Sequence, residues 1–169
     1  MIEAKHHHQP NACAGATLIE TLMYIGLFGL VVTGVVASAY VLIETSDRNQ
    51  TKVLLEEESA FLLAKIALAM DGVASVATPS ANASAPVFMA TRFDGSAVAL
   101  ALSGDALTLG GVPLNNDDVA VRRLTFIRTV DASNPSSPER IDCGVEVRAR
   151  TNTGAILERS ATTTRYLRK

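Results

Sequence analysis

The chain has no tryptophan, and its three histidines stand together at His6, His7 and His8. Past that tract no imidazole is available for general acid–base work, for a Ser–His or Cys–His nucleophile, or for zinc at the usual ligand spacing. Serines and acids are scattered, without a nucleophile elbow or a phosphate-cradling glycine loop. No catalytic residue, cofactor or metal is therefore expected. Cysteine is scarce too: only Cys13 and Cys143 occur. Aromatic residues are 5% of the chain, which removes the stacking platforms of a single-strand nucleic-acid site. The one oxygen-rich cluster, Asn115-Asn116-Asp117-Asp118, has calcium-ligand chemistry, but its composition suits a loop leading into a strand.

The most telling absence is of charge. From Thr21 to Ile43 no charged side chain appears. A bilayer core of about 30 Å takes about 20 apolar residues in a helix, and the apolar region of a cleaved signal peptide is shorter, about 7–15 residues. The run predicts a single membrane-spanning helix, with lipid as its first environment. The residues before it, 1–15, are polar and short. The histidine tract reads as part of a disposable leader, and Lys5 with the start amine places that leader in the cytoplasm. Cutting after Gly15 would leave the span on the mature chain, with a new amine at Ala16 and Cys143 as the remaining thiol.

Glu20 is the exception at the start of the run. A charge deep in a membrane helix costs roughly 2.5–3.5 kcal/mol on insertion scales, so such an acid calls for a partner. The amine at Ala16 is the natural one, either four residues away in the same helix or on a neighbouring chain. Two opposite charges about 4 Å apart at an effective dielectric near 20 attract by about 4 kcal/mol, which matches the insertion cost. Snorkelling of Glu20 to the headgroups is the competing reading.

Gly15-Ala16-Thr17-Leu18-Ile19-Glu20 followed by an apolar helix resembles the processing signal of type IV prepilins and type II secretion pseudopilins. The resemblance covers about residues 14–44. It implies cleavage after Gly15 by a prepilin peptidase, methylation of the new N-terminus at Ala16, and a role for Glu20, with Thr17 beside it, in assembly. It also implies a bacterial inner-membrane protein with its head outside the cytoplasm. Its partners would be other pilin or pseudopilin subunits, a membrane assembly platform and a separate ATPase. Ala16 stands where the family usually has phenylalanine, and the span lacks the family's frequent proline near Ala37. Both point to a minor subunit. Gly26, Gly29 and Gly34, inside the span, are candidates for close helix packing, and Tyr24 and Tyr40 for interface anchors.

Helical character continues past Ile43. Leu54, Phe61 and Leu68, with Leu55, Leu62 and Ile66, predict one apolar stripe on an amphipathic second half, ending at Asp71-Gly72. Residues 73–86 read as a loop. After it come short strands over 87–93, 97–102, 106–109 and 119–130, the last slipping phase near Arg122-Arg123 as at a bulge. The clearest strand, 141–151, alternates Ile141, Cys143, Val145, Val147 and Ala149 with polar residues and puts Cys143 in the core. A last strand runs over 155–163.

The expected architecture is α+β: leader 1–15, membrane half 16–44, amphipathic half 45–72, and a head over 73–169 in which a small antiparallel sheet packs on the helix. Charge divides unevenly: residues 44–118 carry 4 basic and 10 acidic side chains (net −6) and residues 119–169 carry 10 and 5 (net +5). The basic set includes Arg122, Arg123, Arg128, Arg148, Arg150, Arg159, Arg165, Arg168 and Lys169. The function expected is a structural filament subunit. The alternatives are a single-pass anchored surface protein outside any filament, and a DNA-uptake pilin using those basic residues on phosphates; a solvated face explains them more simply, and nucleic acid is not an expected partner.

Overall fold

A computed structural model describes residues 14–134 and 137–167; the leader calls on His6–His8 and Cys13 lie outside them, as do Arg168 and Lys169. Among the described residues the chain forms one helix, α1 (Ala14–Ala69), and nine strands. It divides into two compact units at Thr45/Ser46.

In the first unit the described residues are all helical. From Leu18 to Ile43 every large apolar side chain is exposed, Val32 least at 41% and Leu30 most at 74%. This is a helix long and apolar enough to cross a membrane.

The second unit holds the core. The expected α+β class is observed, with helix residues 46–69 packed on antiparallel strands. One expectation fails in phase. Leu55, Leu62, Ile66 and Ala69 are buried, whereas Phe61 and Leu68 are 45% and 65% exposed. The rows 54/61/68 and 55/62/69 are offset by one residue, about 100° around the helix, so the second row faces the strands and of the first only Leu54 stays half-buried against the core. Thr51 and Ser59 complete the buried row, each bonding its hydroxyl to a carbonyl one turn back, Asp47 O at 3.0 Å and Glu56 O at 3.0 Å. The helix stops where expected. Gly72 takes φ +71°, open to glycine without strain, and Arg92 Nη2 donates to the Ala69 carbonyl at 3.2 Å.

Residues 73–86, expected as a loop, contain β1 (Val73–Thr78) and β2 (Ser84–Ala85). β1 pairs with β3 (Phe88–Arg92) through two register shifts; these break the alternation that would have marked a strand. Hairpins add β4 (Ala97–Ser103), β5 (Ala106–Leu109) and β6 (Val112–Pro113), giving sheet order β1-β3-β4-β5-β6. A second sheet, β2-β7-β8-β9, uses β7 (Val119–Thr129), β8 (Glu139–Arg150) and β9 (Ile156–Leu167). The single sheet expected is thus two, the chain passing between them around β2 and again between β6 and β7. The expected bulge is present, as a register shift between Val121 and Arg123. The two sheets close on one core in which Phe88 and Phe126 meet at 5.3 Å between ring centroids, with Leu62, Leu100, Leu107, Ile141 and Val147 fully buried around them. Burial of such side chains supplies about 1.5–3 kcal/mol each.

Candidate functional site

The apolar helix of the first unit presents one charged side chain among the residues whose surroundings are described between Thr17 and Ile43: Glu20, exposed, with Tyr24 Oη donating to its Oε1 at 3.1 Å. Tyr24, expected as an interface anchor, is thus also the acid's partner at i+4 spacing, and the spacing alone would have revealed the pair. Gly15 and Ala16 lie in the backbone of the helix's first turns. Thr17 lies one turn before Thr21 and accepts its hydroxyl bond at the carbonyl, 2.7 Å.

Three further hydroxyls of this unit repeat that pattern. Thr33 donates to Gly29 O, Ser38 to Gly34 O and Thr45 to Val41 O, each at 2.8 Å. A hydroxyl without a partner in hydrocarbon is costly, and each of these carries its acceptor within its own helix. Such a surface is compatible with lipid or with another helix.

The three glycines do not form one face. Gly26 and Gly29 are neighbours across a turn, but Gly34 sits about 140° around from Gly29. A side chain built at any of them would meet nothing within 4 Å. Their smallness therefore serves no contact inside this chain.

The second unit places the remaining candidates. Cys143 is fully buried, and burial pushes its thiol up to about 12, which leaves it protonated and unreactive near neutrality. Asn115 and Asn116 spend their amide groups on the turn before β7. Asn115 Oδ1 accepts from Leu107 N at 2.9 Å and its Nδ2 donates to Val119 O at 2.7 Å, while Asn116 Oδ1 accepts from Asp118 N and Val119 N. Among the described residues no group of three or more His, Cys, Asp and Glu is gathered as a metal site.

The basic residues are not a free patch. Arg123 pairs with Glu146, Arg128 with Glu139, Arg148 with Asp105 and Arg159 with Glu56. Two of these pairs, Arg148–Asp105 and Arg159–Glu56, join the basic last third to the acidic residues before it, so the charge asymmetry is partly consumed inside the unit.

Sequence reading missed Asp47. It is 8% exposed and accepts from Asn152 N, Asn152 Nδ2 and Thr153 N at 3.2, 2.9 and 3.0 Å. Bonds from Thr153 and Asn152 hold its carboxyl below the ordinary value, against the opposing effect of burial. It pins the β8–β9 turn to the helix, and nothing local in the sequence announces a contact with residues so far along the chain.

Comparison with protein-family models, curated proteins and solved structures finds no match to this chain.

Proposed function

We propose that this chain is a structural subunit of a type IV pilus or type II secretion-like filament, a minor pilin or pseudopilin. The observation that carries the reading is Glu20, a lone carboxylate near the start of an uncovered apolar helix. A prepilin peptidase cuts after Gly15. The helix then holds the subunit in the inner membrane with its head outside the cytoplasm, until an assembly platform draws it into the filament. In the filament the Ala16 amine of one subunit meets Glu20 of another. The amine's unperturbed pKa of about 7.7–8.0 leaves it largely protonated near neutrality. The uncovered apolar side chains pack against sister helices, and Gly26, Gly29 and Gly34 let backbones approach. The chain performs no catalysis in this role.

Two measurements test the reading. Mass spectrometry of the protein recovered from cells is expected to give a chain beginning at Ala16; a chain still beginning at Met1 would overturn it. Glu20→Ala is expected to leave the protein in the membrane fraction but absent from sheared filaments. A variant that assembles normally would point to a simple membrane anchor instead.

A further inference from the structure

Sheet 2 ends in an open edge. β9 pairs with β8 through twelve successive residues, Arg150↔Ile156 to Glu139↔Leu167, without a register shift. Among the described residues no strand pairs with its other side, and no turn or loop backbone group bonds to it. Alternate N–H and C=O groups along such an edge are left to solvent. Edges are ordinarily blunted by shortness, proline, charged side chains or a bulge. β9 is twelve residues long, without proline or bulge, and its charges, Glu158, Arg159 and Arg165, flank an uncharged run from Ser160 to Thr164.

The far end of β9 borders a cleft of about 610 Å³ whose walls include Met70, Asp71, Phe93, Arg165 and Tyr166. Phe93 and Tyr166 are 67% and 63% exposed. Arg165 forms no ion pair and no side-chain hydrogen bond among the described residues. It shares a sheet face with its buried cross-strand partner Ile141, so a strand laid beside β9 would present a side chain to it at cross-strand distance.

We propose that this edge and cleft bind an extended polypeptide segment of another protein. The segment adds antiparallel to β9 by main-chain hydrogen bonds, faces Arg165 with a carboxylate and sends an apolar side chain into the cleft beside Phe93. Asp71 in the cleft wall disfavours a second acid there. A second copy of this chain, added through its own β9, offers no acid to Arg165. The one acid of β9, Glu158, lies on the opposite sheet face from Arg165, so no self-pairing register brings them together. The register centred on Thr162 instead sets Arg159 against Arg165 twice, and like charges directly opposite are destabilising.

The test uses the full chain in detergent micelles and the synthetic peptide acetyl-Phe-Thr-Glu-Thr-Val-Thr-amide, which places its Glu opposite Arg165 and its Phe at the cleft. Calorimetry is expected to show saturable binding with Kd below about 1 mM. Replacing the peptide's Glu by Lys should weaken binding by about tenfold or more, and Arg165→Glu should reverse that preference. Because Arg165 is exposed, the substitution leaves the fold intact. A peptide N-methylated at alternate residues on the edge facing β9 keeps its side chains but should lose binding. Absence of saturation, equal affinity for the Glu and Lys peptides in both proteins, or undiminished binding of the N-methylated peptide would each overturn the proposal.

Discussion

Arg128 ties the two sheets together, and its removal is a sharp test of how the head is held. From β7 its Nε and Nη2 reach Glu139 Oε2 at 2.8 and 2.7 Å, while its Nη1 donates to the carbonyls of Val76, in β1, at 3.0 Å and of Pro79 at 3.4 Å. The side chains are 15% and 19% exposed. Glu139→Ala removes the ion pair but leaves the guanidinium on both carbonyls. For a pair shielded this far, the loss falls between the surface and buried limits, about 1–2 kcal/mol. Arg128→Ala removes the pair and also strands two carbonyls. The Val76 bond contributes about 1 kcal/mol net, the longer Pro79 bond less, and each orphaned oxygen adds a desolvation cost. The expected total is about 3–4 kcal/mol. The double variant should cost scarcely more than Arg128→Ala alone, which makes the coupling about 1–2 kcal/mol. Urea unfolding of residues 46–169, followed by far-ultraviolet circular dichroism, measures all three, since every core residue lies in that unit. If Glu139→Ala proves as costly as Arg128→Ala, the carbonyl bonds contribute nothing and the stitching argument is wrong.

Two further outcomes follow from burial and titration. Leu62→Ala should destabilise the same unit by about 2–5 kcal/mol, because Leu62 is fully buried, whereas Phe61→Ala should cost under about 1 kcal/mol, the half-exposed ring losing chiefly its contact with Lys65 Nζ, 5.2 Å from the ring centroid; equal losses would mean the helix is out of phase. Asp47, Asp94 and Asp131 each have a folded carboxyl below the ordinary 3.8. The unfolded chain then binds the extra protons, so their stabilisation is complete well above pH 3.8 and is lost as pH falls through and below that value. Urea midpoints taken downward from pH 5 should therefore drop, and Asp47→Asn should flatten that limb; an unchanged acid limb in Asp47→Asn would show that the β8–β9 turn does not depend on the charge.

What could be read from sequence was what repeats or excludes. An uncharged run of apolar residues of that length makes a helix long enough to cross a membrane, and the alternation from Ile141 to Ala149 admits one buried face. The bulge at Arg122–Arg123 shows as a broken alternation because the side-chain period of a strand is two. Helix phase was harder: Leu54, Phe61 and Leu68 are as apolar as the row beside them, and the true row carries Thr51 and Ser59, whose hydroxyls are satisfied only once the helix exists. β1 was hidden by its own register shifts and by alanine and serine, which carry weak strand preference. Arg128 and Asp47 were invisible for a different reason. Each acts on backbone groups brought near by tertiary folding, Arg128 on carbonyls and Asp47 on N–H groups, and a backbone group has no signature in the residue that owns it.

The Glu20–Tyr24 bond bears on the helix in the same way. A bare carboxylate in hydrocarbon must find donors or cease to be charged. The Tyr24 hydroxyl supplies one donor from within the chain, which under the proposed function lowers the cost of holding the acid in lipid. An ionised carboxylate has about four acceptor positions and a phenol fills one. What remains suits an ammonium group, which has three donors and accepts none. Under the proposed function, a span that fills about one of the four acceptor positions of Glu20 can rest in the membrane and still gain by meeting a second chain; one that filled them all would have no electrostatic reason to assemble.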